Sequence, residues 1–194
     1  STGEVLCLVS SPTYDPSLMI GRDRGKNHLA MSKDPWKPLL NRAIMGAYPP
    51  GSTFKTTQAL TFLQEGIINT GTMYPCSGGF SYRGLHVGCH AHPSPLSLIP
   101  AIATSCNGYF CWGLYYMIGA RQKYGSVQKA MNTWRDYMDS IGFCYQLGID
   151  LPGEKRGMIP NAQYYDKAYR RSWNGLTIIS ISIGQGEVTA TPLQ

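Results

Sequence analysis

The chain has 194 residues, of which 43% are hydrophobic and 14% charged, enough to bury the core of one globular domain or most of one. Its net charge of +6 comes from basic residues scattered over several segments. No nucleic-acid-binding motif accompanies them, so a nucleic-acid partner is disfavoured. No stretch approaches the ~18 to 20 apolar residues of a membrane span, and the N-terminus lacks the basic and apolar regions of a signal peptide.

Both ends of the chain are expected to be boundaries within a longer polypeptide. The stretch "STGEVLCLVSSPTYDPS" predicts a turn at Thr2-Gly3 and a strand over Glu4 to Ser10, as in the second half of a β-hairpin whose partner strand would lie upstream. The last residues, "TPLQ", are typical of the start of a helix.

Between these ends, the periodicity predicts mixed α and β structure with few strands. A polar loop with a short helical piece is expected up to about Pro38. The remaining elements are expected in this order: a helix opened by Ser52, a Gly-, Cys- and His-rich loop from Gly71 to Pro95, helices over Ser97 to Ser105, Tyr109 to Tyr124 and part of Ser126 to Gly142, a turn-rich segment, and the apolar, β-branched run "LTIISISIGQG".

The stretch "AYPPGSTFKTTQALTFLQEG" carries a candidate nucleophile. Pro49 and Pro50 are expected to keep the approach extended, so that Ser52 opens the helix. Lys55 lies three residues later and shares a helix face with Ser52. An N-cap serine followed by a solvated lysine is the alternative reading of such an S-x-x-K pattern.

A second polar pair follows in "ATSCNGYFCWG", where Ser105 and Asn107 occupy a turn between two predicted helices. A hydroxyl and a carboxamide two residues apart on a turn can point into one cleft. The pair carries little weight alone. The combination of "YPPGSTFK", "SCN" about fifty residues later, "GIDLPGE" and "SIGQGEVTATPLQ" is much more specific.

With these motifs the whole chain resembles the transpeptidase domain of class B penicillin-binding proteins, most closely the elongation-type penicillin-binding protein 2. The resemblance implies one partial transpeptidase domain over residues 1–194. It implies an α/β (α+β) fold of the penicillin-binding protein and serine β-lactamase type, incomplete because strands of the central sheet are missing at both ends and the helical part predominates.

The resemblance also implies roles for four residues. Ser52 would be the acylated nucleophile, Lys55 its base if burial keeps the amine neutral, Ser105 a proton relay and Asn107 the anchor of a substrate amide. No cofactor for catalysis is implied. The family's third motif, Lys-(Thr/Ser)-Gly, is absent from the chain, so the isolated chain is expected to be inactive.

The implied function is that of a peptidoglycan D,D-transpeptidase of cell-wall elongation, which β-lactams would inhibit covalently. Expected partners are peptidoglycan stem peptides, β-lactam antibiotics and a membrane glycosyltransferase. The expected location is the periplasmic face of the bacterial inner membrane, through an N-terminal anchor. Two alternatives remain open: a serine β-lactamase, although no glutamate lies in an E-x-x-L-N context, and a non-catalytic sensor that accepts a penicilloyl group.

Six cysteines divide into two groups. Cys7, Cys111 and Cys144 lie in apolar surroundings and are interpreted as small buried hydrophobes. Cys76, Cys89, Cys106 and either His90 or His92 offer a Cys₃His set suited to zinc, with His92 favoured, and some penicillin-binding protein 2 sequences are similar here. A Cys76–Cys89 disulfide is the alternative in an oxidising compartment.

Overall fold

The structure is a computed structural model, which describes residues 4–194. Within that range the α-helices are α1 (Arg24–Lys33), α2 (Arg42–Met45), α3 (Lys55–Gln64), α4 (Leu98–Ala103), α5 (Asn107–Gly119), α6 (Arg121–Tyr124), α7 (Val127–Ile141) and α8 (Ala162–Ala168). Single 3-10 turns cover Pro16–Met19, Gly51–Phe54 and Ile179–Ile183. Strands β1 (Gly79–Tyr82) and β2 (Leu85–Gly88) pair antiparallel, with Phe80 opposite Val87. The mixed α/β class is thus confirmed, and helices predominate.

The predicted helices agree with the observed ones to within a few residues. The predicted Tyr109 to Tyr124 helix is divided into α5 and α6 because Ala120 leaves the helical region of the Ramachandran plot (φ −74°, ψ 65°). Helix α7 begins after Ser126, whose side chain accepts a hydrogen bond from the Lys129 N–H (3.2 Å). It ends at Gly142, which has a left-handed backbone conformation that glycine adopts without strain.

The strand predicted over Glu4 to Ser10 is wrong. These residues have no regular structure, and Val5, Leu6 and Val9 are exposed. A strand needs a neighbouring strand for its backbone groups, and the sheet found within residues 4–194 contains β1 and β2 alone. The predicted turn at Thr2-Gly3 lies outside the described residues.

Two further expectations are corrected. Cys7 is exposed and Cys144 half-buried, although both were interpreted as buried. Cys7 is exposed because its N-terminal segment has no regular structure. The Gly71 to Pro95 loop contains the β1–β2 hairpin, which turns through Arg83 and Gly84 with positive φ angles of 49° and 83°, as a two-residue hairpin turn requires. The apolar run "LTIISISIGQG" forms the 3-10 turn Ile179–Ile183 and packs on α5.

The core lies where α3, α5 and α7 meet. Helices α3 and α5 approach closely at Gly113, where a Cβ atom would lie only 2.5 Å from the ring of Phe62. Phe54 packs edge-on against Trp134 of α7, with ring centroids 6.3 Å apart. The Trp134 indole donates to the Gln58 side-chain oxygen (2.8 Å) within this core. Large buried side chains therefore fix the helix that carries the serine–lysine pair.

A half-buried network of polar side chains lies at the C-terminal end of α3. The Glu65 carboxylate accepts hydrogen bonds from the hydroxyls of Tyr124 (2.5 Å) and Tyr137 (2.7 Å), and it pairs with the Lys123 ammonium at 2.7 Å. Helices α6 and α7 are thereby joined to α3.

In the part of the chain that the structure describes, no helix is long and apolar enough to cross a bilayer.

Candidate active site and cysteine–histidine cluster

The candidate nucleophile Ser52 lies in the 3-10 turn Gly51–Phe54, immediately before α3. The approach is extended at Tyr48, which bridges to Ala190. Pro50 already has helical dihedral angles (φ −68°, ψ −18°), so the expected extended approach ends earlier than predicted. Ser52 is exposed and lies inside the turn rather than at an N-cap.

The segment "SIGQG" buttresses this turn from behind. The Gly51 N–H donates to the Gly184 carbonyl at 2.9 Å. Gly184 has a φ of +66°, and a Cβ there would lie 2.3 Å from the Gly51 carbonyl oxygen. Only glycine fits this contact without a shift of the backbone. The SIGQG motif is visible in the sequence, but its contact with the serine turn is seen only in the folded structure.

Lys55 is buried at the start of α3, with 2% of its surface exposed. Its ammonium donates to the Ser105 hydroxyl (3.0 Å), the Ser105 carbonyl (2.7 Å) and the Asn107 side-chain oxygen (2.6 Å). The alternative of a solvated lysine is therefore wrong. The structure brings the S-x-x-K lysine and the S-x-N pair together across a separation of fifty residues.

Burial changes the acid–base behaviour of Lys55. Removal of the amine from water lowers its pKa from the ordinary value of 10.5, and the neighbouring thiols of Cys89, Cys106 and Cys111 oppose this only in part. The ring of Phe110 lies 5.9 Å from the amine, a neighbour that the sequence did not indicate. A lowered pKa makes the neutral amine, the form that can accept a proton, more accessible near neutral pH.

Ser105 and Asn107 flank the N-cap of α5. Ser105 has a positive φ of 51°, a conformation that costs energy for a residue with a Cβ and is concentrated at functional sites. The Cys106 sulfur caps α5 by accepting from the Tyr109 N–H (3.2 Å). The Asn107 amide nitrogen donates to the Gly88 carbonyl (2.8 Å), so the turn is attached to strand β2.

The cysteine–histidine cluster consists of Cys76, Cys89, His92 and Cys106, whose ligand atoms all lie within 4.8 Å of one another. A zinc tetrahedron with Zn–S bonds of about 2.3 Å has sulfur–sulfur edges of roughly 3.8 Å. The cluster would therefore contract by about 1 Å at most around an ion. His90 is not a member of the cluster, although its ring lies 5.5 Å from that of His92.

The surroundings of the cluster suit a cation. His92 directs Nε2 to the Cys89 sulfur (3.4 Å) while Nδ1 lies 2.7 Å from the Pro93 carbonyl, an outer contact that fixes the ring of a metal-binding histidine. Burial raises the pKa of the Cys106 thiol to about 12, with Cys76 adding to the effect. Three sulfurs so close together need a positive charge to be stable as thiolates. All six cysteines are free thiols in the structure.

The Cys89 thiol has a different environment from that of Cys106. Partial burial acts to raise its pKa, but hydrogen bonds from the Asn107 N–H, His92 and Cys76 outweigh burial and lower the pKa below its ordinary value. The Asn107 N–H to Cys89 sulfur distance is 3.3 Å. The cluster and the candidate catalytic groups therefore share the turn at Ser105 to Asn107.

An exposed serine on a helix start, a buried lysine one turn later and a Ser-x-Asn turn over the lysine form the arrangement that S-x-x-K and S-x-N motifs make together. The family model described as "Penicillin binding protein transpeptidase domain" matches residues 1–194. The chain belongs to this family.

Among curated proteins, the chain is 35% identical over 202 residues to the peptidoglycan D,D-transpeptidase MrdA of Acinetobacter baumannii, which covers all of this chain and 28% of that protein. It is 32% identical over 200 residues to MrdA of Escherichia coli K12, covering 29% of that protein. The chain thus spans less than a third of the length of these relatives.

Solved structures of penicillin-binding protein 2 have the same fold. The Pseudomonas aeruginosa protein in complex with WCK 5153 superposes with a TM-score of 0.82 at 28% identity, over 99% of this chain and 42% of that one. The Helicobacter pylori protein in complex with MreC gives a TM-score of 0.81 at 29% identity, over 99% of this chain and 34% of that one. The family predicted from the sequence is confirmed.

Proposed function

We propose that this chain is part of a peptidoglycan D,D-transpeptidase of cell-wall elongation, which works through an acyl-serine intermediate and is inhibited covalently by β-lactams. The observation that best supports the proposal is the environment of Lys55. Its amine is buried, has a lowered pKa and contacts both Ser105 and Asn107. The names of the relatives support the reaction class.

In the proposed first step the Ser52 hydroxyl attacks the carbonyl carbon of the terminal D-alanyl-D-alanine bond. Neutral Lys55 accepts the hydroxyl proton, and the Ser52 N–H, in the first turn, donates to the developing oxyanion. Ser105, which contacts Lys55, passes the proton to the departing D-alanine amine. An ester between Ser52 and the donor peptide results.

Asn107 holds the donor peptide in this scheme. A carboxamide nitrogen carries two hydrogens, of which one is used by the Gly88 carbonyl. The second can donate to a substrate amide carbonyl. In the second step, the amine of another stem peptide attacks the ester and gives one proton to neutral Lys55 as the cross-linking amide forms. Lys55 passes that proton to the departing Ser52 oxygen, which restores the hydroxyl.

The lifetime of the penicilloyl ester tests the proposal against a β-lactamase. The full-length protein containing residues 1–194 is labelled with a fluorescent penicillin, separated from free label and followed in time, beside an assay with a chromogenic cephalosporin. We expect the adduct to persist for many minutes because none of the glutamates within residues 4–194 lies in an E-x-x-L-N context. Hydrolysis at roughly tens of turnovers per second would contradict the proposal and favour a β-lactamase.

A protein that keeps the ester but never cross-links peptides would instead be a non-catalytic sensor that accepts a penicilloyl group. Incubation of the same protein with a donor pentapeptide and an amine acceptor separates these two. Release of D-alanine together with a new amide product supports transpeptidation. Acylation by penicillin without any D-alanine release would contradict it.

We further propose the partners and location that go with this activity: stem peptides, β-lactams, a membrane glycosyltransferase, and the periplasmic face of the inner membrane. The H. pylori relative is described in complex with MreC. Another structural neighbour, 31% identical with a TM-score of 0.81, belongs to a peptidoglycan synthase complex that coordinates polymerisation and crosslinking. Co-purification of a polymerase with the full-length membrane-extracted protein supports the proposal, and its absence after mild extraction and cross-linking would contradict it.

We propose that Cys76, Cys89, His92 and Cys106 bind a structural zinc ion. The soft sulfur-rich donors, their mutual proximity and the outer contact of His92 support this assignment. Bound zinc would neutralise the thiolates and join the loop over 71–95 to the N-terminus of α5. It would have no part in the chemical steps.

Metal content and thiol content together test this site. We expect one zinc per chain by elemental analysis, with six free thiols under denaturing, non-reducing conditions. Cys89→Ser is expected to lose the zinc, whereas Cys144→Ser, a change outside the cluster, is expected to keep it. An absence of metal together with two missing thiols would show that the Cys76–Cys89 disulfide is correct instead.

A further inference from the structure

A cleft of about 550 Å³ lies at the C-terminal end of α5, the opposite end from Asn107. Its wall includes Arg83 from the hairpin turn, Tyr115 and Tyr116 from α5, Arg121 from α6, and Asn174. Helix α5 has 13 residues, which corresponds to about 20 Å. The cleft is therefore separate from the candidate active site, although the same helix connects them.

The cleft presents cationic and donor groups without a compensating acid. No aspartate or glutamate lines it, and within residues 4–194 neither Arg83 nor Arg121 lies within ion-pair distance of a carboxylate. The oxygen of the Asn174 side chain already accepts from the Leu176 N–H (2.8 Å), which leaves its NH₂ group to donate. A ligand rich in acceptors and negatively charged would match these groups.

The rings of Tyr115 and Tyr116 also line the cleft, and Tyr82 packs against Tyr115 outside the lining. Tyr82, Tyr115 and Tyr116 make successive ring contacts at centroid distances of 5.2 and 5.6 Å, and the Arg83 guanidinium lies 5.5 Å from the Tyr82 ring. Tyr116 remains 48% exposed. Flat, partly exposed rings beside donor groups suit a ligand with apolar faces and a polar edge, as a sugar ring has.

We propose that this cleft is a second binding site for an anionic saccharide, namely a sugar chain that bears carboxylates. The cleft volume falls within the usual range of about 300 to 1,000 Å³ for small-ligand sites. The arginines would bind the carboxylates and the tyrosines would contact the sugar rings. The choice of a muropeptide as the saccharide rests on the proposed function, because peptidoglycan is the substrate that such an enzyme meets.

The test measures binding of a soluble disaccharide–peptide with free carboxylates to full-length protein whose Ser52 has been acylated with penicillin, so that the catalytic cleft is occupied. Mass spectrometry checks the acylation independently. If no acylation occurs, the proposed function fails, and binding is then measured on the unmodified protein.

The variants are Arg83→Asn, which tolerates the positive φ of the turn, and Arg121→Gln. Lys167→Gln on α8 is the charge-matched control, because Lys167 is exposed and lies outside the cleft.

We expect one saccharide per acylated chain, with roughly five- to tenfold weaker binding in each arginine variant and unchanged binding in the Lys167 control. Amidation of the ligand's carboxylates should weaken binding to the same degree. No binding, or binding that the arginine variants leave unchanged, would overturn the proposal. Equal binding of inorganic phosphate or of an acidic peptide without sugar would overturn the saccharide assignment as well.

Discussion

The helical core and the cysteine-bearing loop over 71–95 are held together by different forces. In the core, Phe62, Trp134 and Met138 are fully buried, and apolar burial supplies the stability. In the loop, the buried residues are Cys76, Gly79 and Phe80. A segment that buries so little apolar surface needs another source of order, and the hairpin and the thiol cluster can provide it.

The candidate catalytic groups lie at the boundary between these two regions. Ser52 and Lys55 belong to the helix that the core fixes. Asn107 begins a core helix, but its side chain is attached to Gly88 and its N–H to the Cys89 sulfur. We therefore expect the core to determine whether the protein folds, and the loop to determine how well the Ser-x-Asn turn is aligned.

Substitution of Lys55, which connects the two regions, should slow acylation more than truncation of a side chain in the core or in the hairpin. Lys55→Arg keeps the positive charge but removes the base, so acylation by penicillin should slow about 10²- to 10⁴-fold, while the unfolding midpoint changes much less. In the wild type, the acylation rate should rise with pH, because protonated Lys55 cannot accept the serine proton. It should level off above a pKa that lies below lysine's ordinary 10.5.

Stopped-flow acylation over a range of pH provides this measurement, and Lys129→Arg, an exposed substitution on α7, is the control. A wild-type rate that does not depend on pH, or an arginine variant that is acylated at the wild-type rate, would exclude Lys55 as the base.

Truncation of a core side chain should have a larger effect on stability than truncation in the hairpin. Phe62→Ala is expected to lower the free energy of unfolding by about 3–5 kcal/mol, since it leaves a cavity between α3 and α5. Val87→Ala, at a half-buried position of β2, should lower it by about 1 kcal/mol. Urea denaturation of both variants makes the comparison. Equal losses would mean that the hairpin belongs to the same cooperative core.

Removal of metal should affect the loop and leave the core unchanged. If zinc orders the loop, chelation is expected to speed amide exchange across 71–95, including the Cys89 N–H that donates to the Gly78 carbonyl (2.8 Å), by about tenfold or more. The amides of α7 should keep their protection. Hydrogen exchange with mass detection tests this, and unchanged exchange in the loop after verified loss of metal would show that coordination does not order it.

The longer helices and the motif residues were predictable because their signals are local, whereas the short helices α2 and α8 were not predicted. Ser126 and Gly142 mark the ends of α7, and the apolar stripe of α3 includes Phe62, which the structure buries. The motif set around Ser52, Lys55, Ser105 and Asn107 indicated that these residues act together, and the structure places Lys55 against the other motif. The Cys76, Cys89, His92 and Cys106 set was likewise named from the sequence.

The remaining features depend on contacts that the sequence does not specify. The apolar run from Val5 to Val9 indicated a strand, but a strand forms only beside a neighbouring strand. The Arg83-Gly84 hairpin was not predicted, because Arg-Gly lacks the Asn-Gly or Asp-Gly signature of a two-residue turn and the surrounding glycines and cysteines favoured a loop. The support of the serine turn by Gly184 depends on residues about 130 positions apart, and only the folded chain brings them together.

The identity of the acylated residue decides whether Ser52 is the nucleophile. The full-length protein containing residues 1–194 is incubated with penicillin and its intact mass is measured, for wild type, Ser52→Ala and Thr53→Ala. Thr53 is the matched control because its exposed hydroxyl is adjacent to Ser52. We predict one penicilloyl adduct on wild type and Thr53→Ala and none on Ser52→Ala. An undiminished adduct on Ser52→Ala would contradict the assignment of Ser52 as the nucleophile.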